Sequence, residues 1–223
     1  MSDDAKRTAG RAAAELVTDG MRLGLGTGST VAHFLDALAS AGRDVAGVPT
    51  SEATATRCRE LGIPLLDVAE VERLDLCVDG ADELTDDLTL TKGGGGALLR
   101  EKVVAALADR FVVIATADKL VDRLGDTFAL PIEVVPFAVA PVIRAIRSLG
   151  FDEVLTRLDG EYRTDNGNLI LDARMVGGIE DPAVLDLQLL SIPGVAETGL
   201  FVDLATDALL ADAAGTVRHL TLD

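Results

Sequence analysis

The stretch Asp79–Lys102, DGADELTDDLTLTKGGGGALLREK, runs on directly from LDLCV (Leu74–Val78) and leads to FVVIAT (Phe111–Thr116). The two flanking runs are short and apolar, as buried strands are. Between them lie a polar loop, four consecutive glycines (Gly93 to Gly96) and a helix-forming run that holds Arg100, Glu101 and Lys102. Strand, loop, helix and strand in this order is the unit from which parallel sheets are built. Four glycines lose backbone entropy on folding and bring no side chains to pack. They suit a backbone that turns sharply and lets something approach closely. The helix beyond them starts with unpaired N–H groups and the positive end of a dipole, a seat for an anion. Glu101 shares an otherwise apolar face with Leu98 and Ala105. Helical side chains lean toward the N-terminus, so its carboxylate is expected to point back at the glycine turn. The plainer alternative is a solvated helix behind a flexible loop.

The same alternation extends in both directions. Residues 5–20 read as an amphipathic helix ended by Gly20, and MRLGL as a strand broken by GTGST (Gly26–Thr30). A helix follows from about Val31 to Leu38; VAGVPTS is a second strand running into Ser51-Glu52-Ala53. A helix through Cys58 and Leu61 stops at Gly62, and IPLLD is a third strand. LDLCV is the fourth and FVVIAT the fifth, ending at Ala117-Asp118-Lys119. Strands alternating with helices predict a parallel α/β sheet. GTGST, SEA, DGADE and ADK each follow a predicted strand, and open α/β sheets bind ligands beyond the carboxyl ends of their strands. Four polar loops in that position are expected to converge on one site.

From Pro131 the pattern changes. PIEVVP is a strand, PVIRAIRSLG a helix, and EVLTRL and NLILDAR two strands joined by a loop containing TDNGN. DPAVLDLQLLSI is a helix with Asp181 as N-cap and Pro182 at its first position, and VAETGLFVD is a strand. That β-α-β-β-α-β order is the ferredoxin-like arrangement. The expected organisation is a catalytic α/β domain of residues 1–130 plus 200–223, whose last two short strands rejoin the first sheet, and a smaller α+β domain of residues 131–199.

Composition narrows the partners. The chain carries a formal charge of −17 over 223 residues, a surface that repels nucleic acid and acidic membranes. An anionic small molecule remains compatible with a locally positive site. Lysine occurs only at Lys6, Lys92, Lys102 and Lys119, so each one is informative. No apolar run approaches membrane-spanning length, and the polar start MSDDAKRTAG is not expected to be a signal peptide. Cys58 and Cys77 make neither a metal spacing nor a disulfide framework, which fits a reduced, cytoplasmic setting. No cluster of His, Cys and carboxylates predicts a metal site, and His33 and His219 are solitary. The acidity predicts adaptation to a salt-rich cytoplasm.

LGLGTGST invites comparison with phosphate-binding fingerprints, but Ser29 stands where a dinucleotide motif needs its third glycine, and no Gly-Lys-Ser/Thr follows. What is left is a small phosphate cradle: hydroxyls on Thr27, Ser29 and Thr30, and glycines that free N–H groups at a helix start. Ser/Thr capping of a glycine turn is the simpler reading of this motif alone, as a solvated acidic loop is of DGADE.

GLGTGSTVAHF, SEATATRCRELGIP, DGADEL, KGGGGALLREK, ADK, DNGN, DPA and IPGV, in this order over about residues 8–215, resemble the A-type ribose-5-phosphate isomerases. The resemblance implies a Rossmann-type, mostly parallel α/β sheet with a second, smaller ferredoxin-like α+β domain. It implies that Thr27, Gly28, Ser29 and Thr30 bind the phosphate end of a sugar phosphate. Asp79, Gly80, Ala81, Asp82, Lys92, Gly93, Gly94 and Gly95 become substrate contacts, Lys119 a further one, and Glu101 the proton-transferring base. PTSEAT departs from the serine-rich stretch of many relatives, which leaves the role of Glu52 open. The implied chemistry moves a proton between C1 and C2 through an enediolate, with Lys92 and the glycine-loop N–H groups facing the oxyanion and Asp79 and Asp82 shuttling hydroxyl protons. It needs neither cofactor nor metal, and the resemblance implies a homodimer or homotetramer. The rivals are a non-catalytic sugar-phosphate sensor, against which the chain is expected to lack room, and the right charge, for a DNA-binding module, and a related sugar-phosphate deaminase or coenzyme A transferase, which are not expected to carry Asp79, Lys92 and Glu101 in this arrangement.

Overall fold

The computed structural model describes residues 3–222; Met1, Ser2 and Asp223, part of the expected first domain, lie outside the described residues. Helix α1 (Asp3–Ala14) buries Ala5, Ala9 and Ala13, one side chain per turn along one face. It stops earlier than expected, before the turn-forming Thr18-Asp19-Gly20. Strand β1 (Arg22–Leu25) leads into α2 (Ser29–Ala41), β2 (Ala46–Pro49) into α3 (Glu52–Leu61), and β3 (Leu76–Asp79) into β4 (Glu83–Leu84) and β5 (Leu90–Thr91). Next come α4 (Leu98–Ala106), β6 (Phe111–Thr116), β7 (Leu130–Val134), α5 (Val139–Ser148), β8 (Glu153–Thr156) and β9 (Leu169–Arg174). Helix α6 (Pro182–Leu190) precedes β10 (Val195–Thr198), β11 (Leu200–Phe201), β12 (Asp207–Ala211) and β13 (Val217–Thr221).

The chain forms two compact units. The first comprises the residues up to Ala81, Arg100–Lys119 and those from Leu204 onward; the second comprises Asp82–Leu99 and Leu120–Asp203. The sequence reading divides the chain at 130/131 and 199/200; by compactness, residues 82–99, 120–130 and 200–203 group with the second unit.

The first unit is built on a six-stranded sheet of order β13-β12-β6-β3-β1-β2, parallel throughout except for β13, which pairs antiparallel with β12. Every residue of β6 is buried, as a parallel strand covered on both faces requires. Leu23, Leu25, Leu76, Val78, Val112 and Ile114 of the strands pack with Phe34, Leu35 and Leu38 of α2 in one core. Cys58 lies in this core, and burial pushes its thiol up to about 11, which makes it an inert packing group. The chain leaves β1 toward β2 on one side and is flanked by β3 on the other, so the topological switch point falls between β1 and β3.

The second unit holds an antiparallel sheet of order β10-β7-β9-β8 with α5 and α6, the β-α-β-β-α-β order read from the sequence. Its core includes Ile132, Val134, Val142, Ile146, Leu171 and Leu189. Asp181 caps α6, accepting from the Val184 N–H at 3.0 Å, with Pro182 at the first position.

Two strand expectations are corrected. IPLLD is not a strand but a single bridge from Leu65 to Gly47, because Pro64 lacks the N–H that a continuing ladder needs. VAETGLFVD is not one strand: it breaks at Gly199 into β10, paired with β7, and β11, which joins β5 and β4 in a small three-stranded sheet. That sheet gives order to the stretch after DGADE, which the sequence placed in a polar loop.

Candidate active site

In the first unit the four expected loops all follow parallel strands: residues 26–30 after β1, 51–53 after β2, 80–81 after β3 and 117–119 after β6. Asp79, the last residue of β3, is buried, and its Oδ1 accepts from the N–H of Thr27 at 3.0 Å and of Gly80 at 2.7 Å. The glycine-rich loop is thus tied to the acidic loop across the switch point. Gly26 makes the approach possible, since a Cβ there would collide with the Asp79 carboxylate.

Thr27 does not present a spare hydroxyl. Its Oγ1 lies 2.8 Å from Thr50 Oγ1, 3.1 Å from Thr54 Oγ1, and donates to Ser51 Oγ at 2.9 Å. Thr54 Oγ1 donates to the Gly26 carbonyl at 2.8 Å, and Ser51 Oγ caps α3. This hydroxyl cluster fixes the loop, and what Thr27 offers a ligand is shaped backbone. Gly28, at φ 115, turns the chain into α2, whose start has no side-chain cap, so the dipole and first N–H groups face out of the loop. Ser29 is exposed and Thr30 half-buried. Lys6 of α1 donates its Nζ to Ser29 Oγ at 2.8 Å, adding a cation that motif reading did not place there. Its only advance signal was the rarity of lysine.

Glu101 sits in the first turn of α4 and is 4% exposed, so its carboxylate is nearly stripped of water. Beside it in the chain, Arg100 pairs with Glu52 at 3.0 Å, which gives Glu52 an ion-pairing role. Lys119 ends the short turn after β6 and is half-buried.

In the second unit Asp82 accepts the Gly94 N–H on Oδ2 at 2.7 Å, while its own N–H donates to the Thr91 carbonyl at 2.9 Å. Gly94 must be glycine here: a Cβ would lie 2.5 Å from Asp82 Oδ1. Lys92 is 3% exposed; its N–H donates to the Gly199 carbonyl at 2.8 Å and its Nζ stands 5.4 Å from the centre of the Phe201 ring. A buried ammonium is a group that can stabilise developing negative charge. Glu83 has a different function. Fully buried, it accepts from the N–H groups of Gly125, Thr127 and Phe128 and from the Thr127 hydroxyl, at 2.6–2.8 Å, and so anchors the segment before β7.

Two further residues hold the glycine turn. Arg157 donates to the carbonyls of Gly93 and Gly94, both at 3.0 Å, and Tyr162 to that of Gly95 at 2.9 Å. They lie more than sixty residues along the chain from the turn, in a stretch with no recognisable motif. The DNGN stretch is structural: Asn166 and Asn168 side chains, with Thr164, donate to the buried Glu133 at 2.9–3.0 Å. Among the described residues no group of His, Cys, Asp and Glu is placed to hold a metal ion, and no helix is long and apolar enough to cross a membrane.

A sequence profile described as Ribose 5-phosphate isomerase A (phosphoriboisomerase A) matches residues 46–215, most of the chain. The chain belongs to the ribose-5-phosphate isomerase A family. Among ribose-5-phosphate isomerase A relatives, one from Caulobacter vibrioides is 51% identical over 97% of this chain and 98% of its own. Another, from Thermosynechococcus vestitus, is 45% identical over 95% and 94%. The crystal structure of ribose 5 phosphate isomerase A from Neisseria gonorrhoeae superposes with a TM-score of 0.94 at 35% identity, covering 99% of this chain and 97% of that one. A D-ribose-5-phosphate isomerase solved in complex with phospho-erythronic acid superposes equally well, at 0.94 and 37% identity over the whole of both chains.

Proposed function

We propose that this chain interconverts D-ribose 5-phosphate and D-ribulose 5-phosphate as an aldose–ketose isomerase of the non-oxidative pentose phosphate route. The observation that carries the reading is the 51% identity, over nearly the full length of both chains, to a relative named for that activity. The phosphate goes to the start of α2, where Ser29 and Thr30, the free helix end and the Lys6 ammonium favour a dianion, with Lys119 as a further cation. Held there, it supplies binding energy remote from the reacting carbons.

Glu101 takes the C2 proton of the open-chain aldose and returns it to C1, and its burial suits a carboxylate that must act as a base. Lys92 and the amides of Gly93, Gly94 and Gly95 stabilise the enediolate oxygen. Asp79 and Asp82, each fixed by backbone N–H groups, move hydroxyl protons and assist ring opening. Gly80 and Ala81 are further substrate contacts. The carbon chemistry calls on no cofactor. We place the enzyme in the cytoplasm and in a homodimer or homotetramer, a state favoured by the exposed Phe137, Val176 and Leu187 of the second unit. The purified protein given ribose 5-phosphate should form ketose and exchange the substrate C2 proton with solvent deuterium. Absence of both would refute the assignment.

A further inference from the structure

The glycine turn is held from one side by side chains that the reaction itself does not use. In a trans peptide the carbonyl and the following N–H point in opposite directions. Arg157 takes the carbonyls of Gly93 and Gly94, so the N–H groups of Gly94 and Gly95 are turned the other way. The Gly94 N–H meets Asp82 on that other side, and the Gly95 N–H has no acceptor among the described residues. Tyr162 takes the next carbonyl, and the Gly96 N–H folds back onto Gly93 at 2.9 Å to close the turn.

Arg157 is itself fixed. Its Nε and Nη2 donate to the two carboxylate oxygens of Asp172, at 2.9 and 2.5 Å, and its guanidinium lies 5.6 Å from the Tyr162 ring centre. The side chain is only 14% exposed. Because Asp172 balances its charge, it acts on the turn through directed hydrogen bonds. The chain between the two clamping residues is strained: Leu158 and Asp159 stand at φ 47 and 51, where β-carbon-bearing residues are rare. Backbone strain of this kind is kept where the surroundings over-determine it, as at sites built for placement.

We infer that Arg157 and Tyr162 are positioning residues for the isomerase reaction: they clamp the carbonyl side of the turn so that the Gly95 N–H stays aimed, beside Asp82, at the oxygen that gains charge in the enediolate. The inference rests on the isomerase reading above. Preorganised donors act on the charge that develops during reaction and much less on the ground state. Loss of the clamp should therefore lower kcat and leave binding of the phosphate end alone.

The test compares Arg157→Met, Arg157→Lys and Tyr162→Phe in the full-length protein by steady-state kinetics. It adds competition by inorganic phosphate and by phospho-erythronic acid, whose carboxylate mimics the planar enediolate. For Arg157→Met, kcat should fall on the order of 10²-fold, the loss typical of a small misplacement, and phospho-erythronic acid should bind more weakly in proportion. KM and inhibition by inorganic phosphate should stay within about twofold of wild type. Arg157→Lys should not rescue, because an ammonium cannot hold two carbonyls and both Asp172 oxygens at once. Tyr162→Phe keeps the ring over Arg157 and removes one neutral hydrogen bond, for a fall of roughly fivefold. It decides the matter if the Arg157 variants do not fold. Unchanged kcat in Tyr162→Phe, or parallel loss of phosphate inhibition and kcat in a folded Arg157→Met, would overturn the inference. An inactive wild type would instead overturn the isomerase reading.

Discussion

Replacing Glu101 by Gln tests the centre of the proposed mechanism. The residue is 4% exposed within the first turn of α4, so the substitute must occupy the same space, and glutamine does so atom for atom. Packing and helix propensity hardly change, and exchanging a buried carboxylate for an amide adds no desolvation burden. The unfolding midpoint is therefore expected to stay within a few degrees of wild type. The chemistry is not spared, because an amide takes no proton from carbon. General-base catalysis is worth about 10²–10⁴-fold, which at about 1.4 kcal/mol per decade is a barrier rise of roughly 3–5 kcal/mol. Ketose formation followed by absorbance should fall at least a hundredfold, with phospho-erythronic acid still bound, and exchange of the C2 proton into deuterated water should stop. Glu101→Asp, which withdraws the carboxylate by one methylene, should lie between the two, since a shift of about an ångström is worth about 10²-fold. A folded Glu101→Gln protein with near-normal turnover and proton exchange would refute the assignment and move it to Asp79 or Asp82.

Three other perturbations probe separate parts of the molecule. Ser29 and Thr30 both changed to alanine, or Lys6 to methionine, should raise KM with kcat less affected, because these groups hold the unreacting end of the substrate; a collapse of kcat at constant KM would argue against a phosphate site there. At Asp207, burial alone would raise the carboxyl pKa, but hydrogen bonds from Arg110, Thr206 and His219 outweigh it and hold the group well below the usual carboxylate range. A depressed pKa stabilises the fold above the unfolded value near 3.9 and loses that contribution as pH falls further. Asp207→Asn should thus lower the unfolding midpoint by about 5 °C at pH 7, for a loss of roughly 2 kcal/mol, and the gap should narrow below about pH 4; a gap independent of pH would exclude the linkage. With a net charge of −17, the midpoint of the wild-type protein should climb between low and molar potassium chloride, and a flat or falling curve would remove the salt-adaptation reading.

The strands of the parallel sheet could be read because β6 and the LDLCV run are apolar along their whole length, and their ends were marked by Gly-Thr-Gly, by carboxylates or by lysine. Periodicity also carried the β-α-β-β-α-β order of the second unit, where the capping pair Asp181-Pro182 marked one helix start. It failed at IPLLD, where composition favours a strand but the proline at position 64 denies the ladder a donor. It failed again at residues 83–91, whose two short strands become a sheet only with Leu200–Phe201, more than a hundred residues away. The site shows the same divide. Carboxylates and glycines next to strand ends announce themselves locally, whereas Arg157, Tyr162 and the hydroxyls of Thr50 and Thr54 act on backbone or partners brought near by folding. Nothing in the residues around them distinguishes Arg157 from any other arginine of a chain that has far more arginine than lysine.

The order of strands in the first sheet has a consequence for how the protein is made. Strand β6 is flanked by β3 on one side and β12 on the other, and roughly ninety residues separate Thr116 from Asp207. At synthesis rates of about 5–20 residues per second, FVVIAT waits on the ribosome for roughly 5–20 s with its second edge unpaired. An unpaired apolar edge is what strands of other chains add to. Asp207–Ala211 therefore serves the nascent chain as a seal, arriving late, and the Arg218 charge on β13 beyond it keeps the new edge from taking its place as a template.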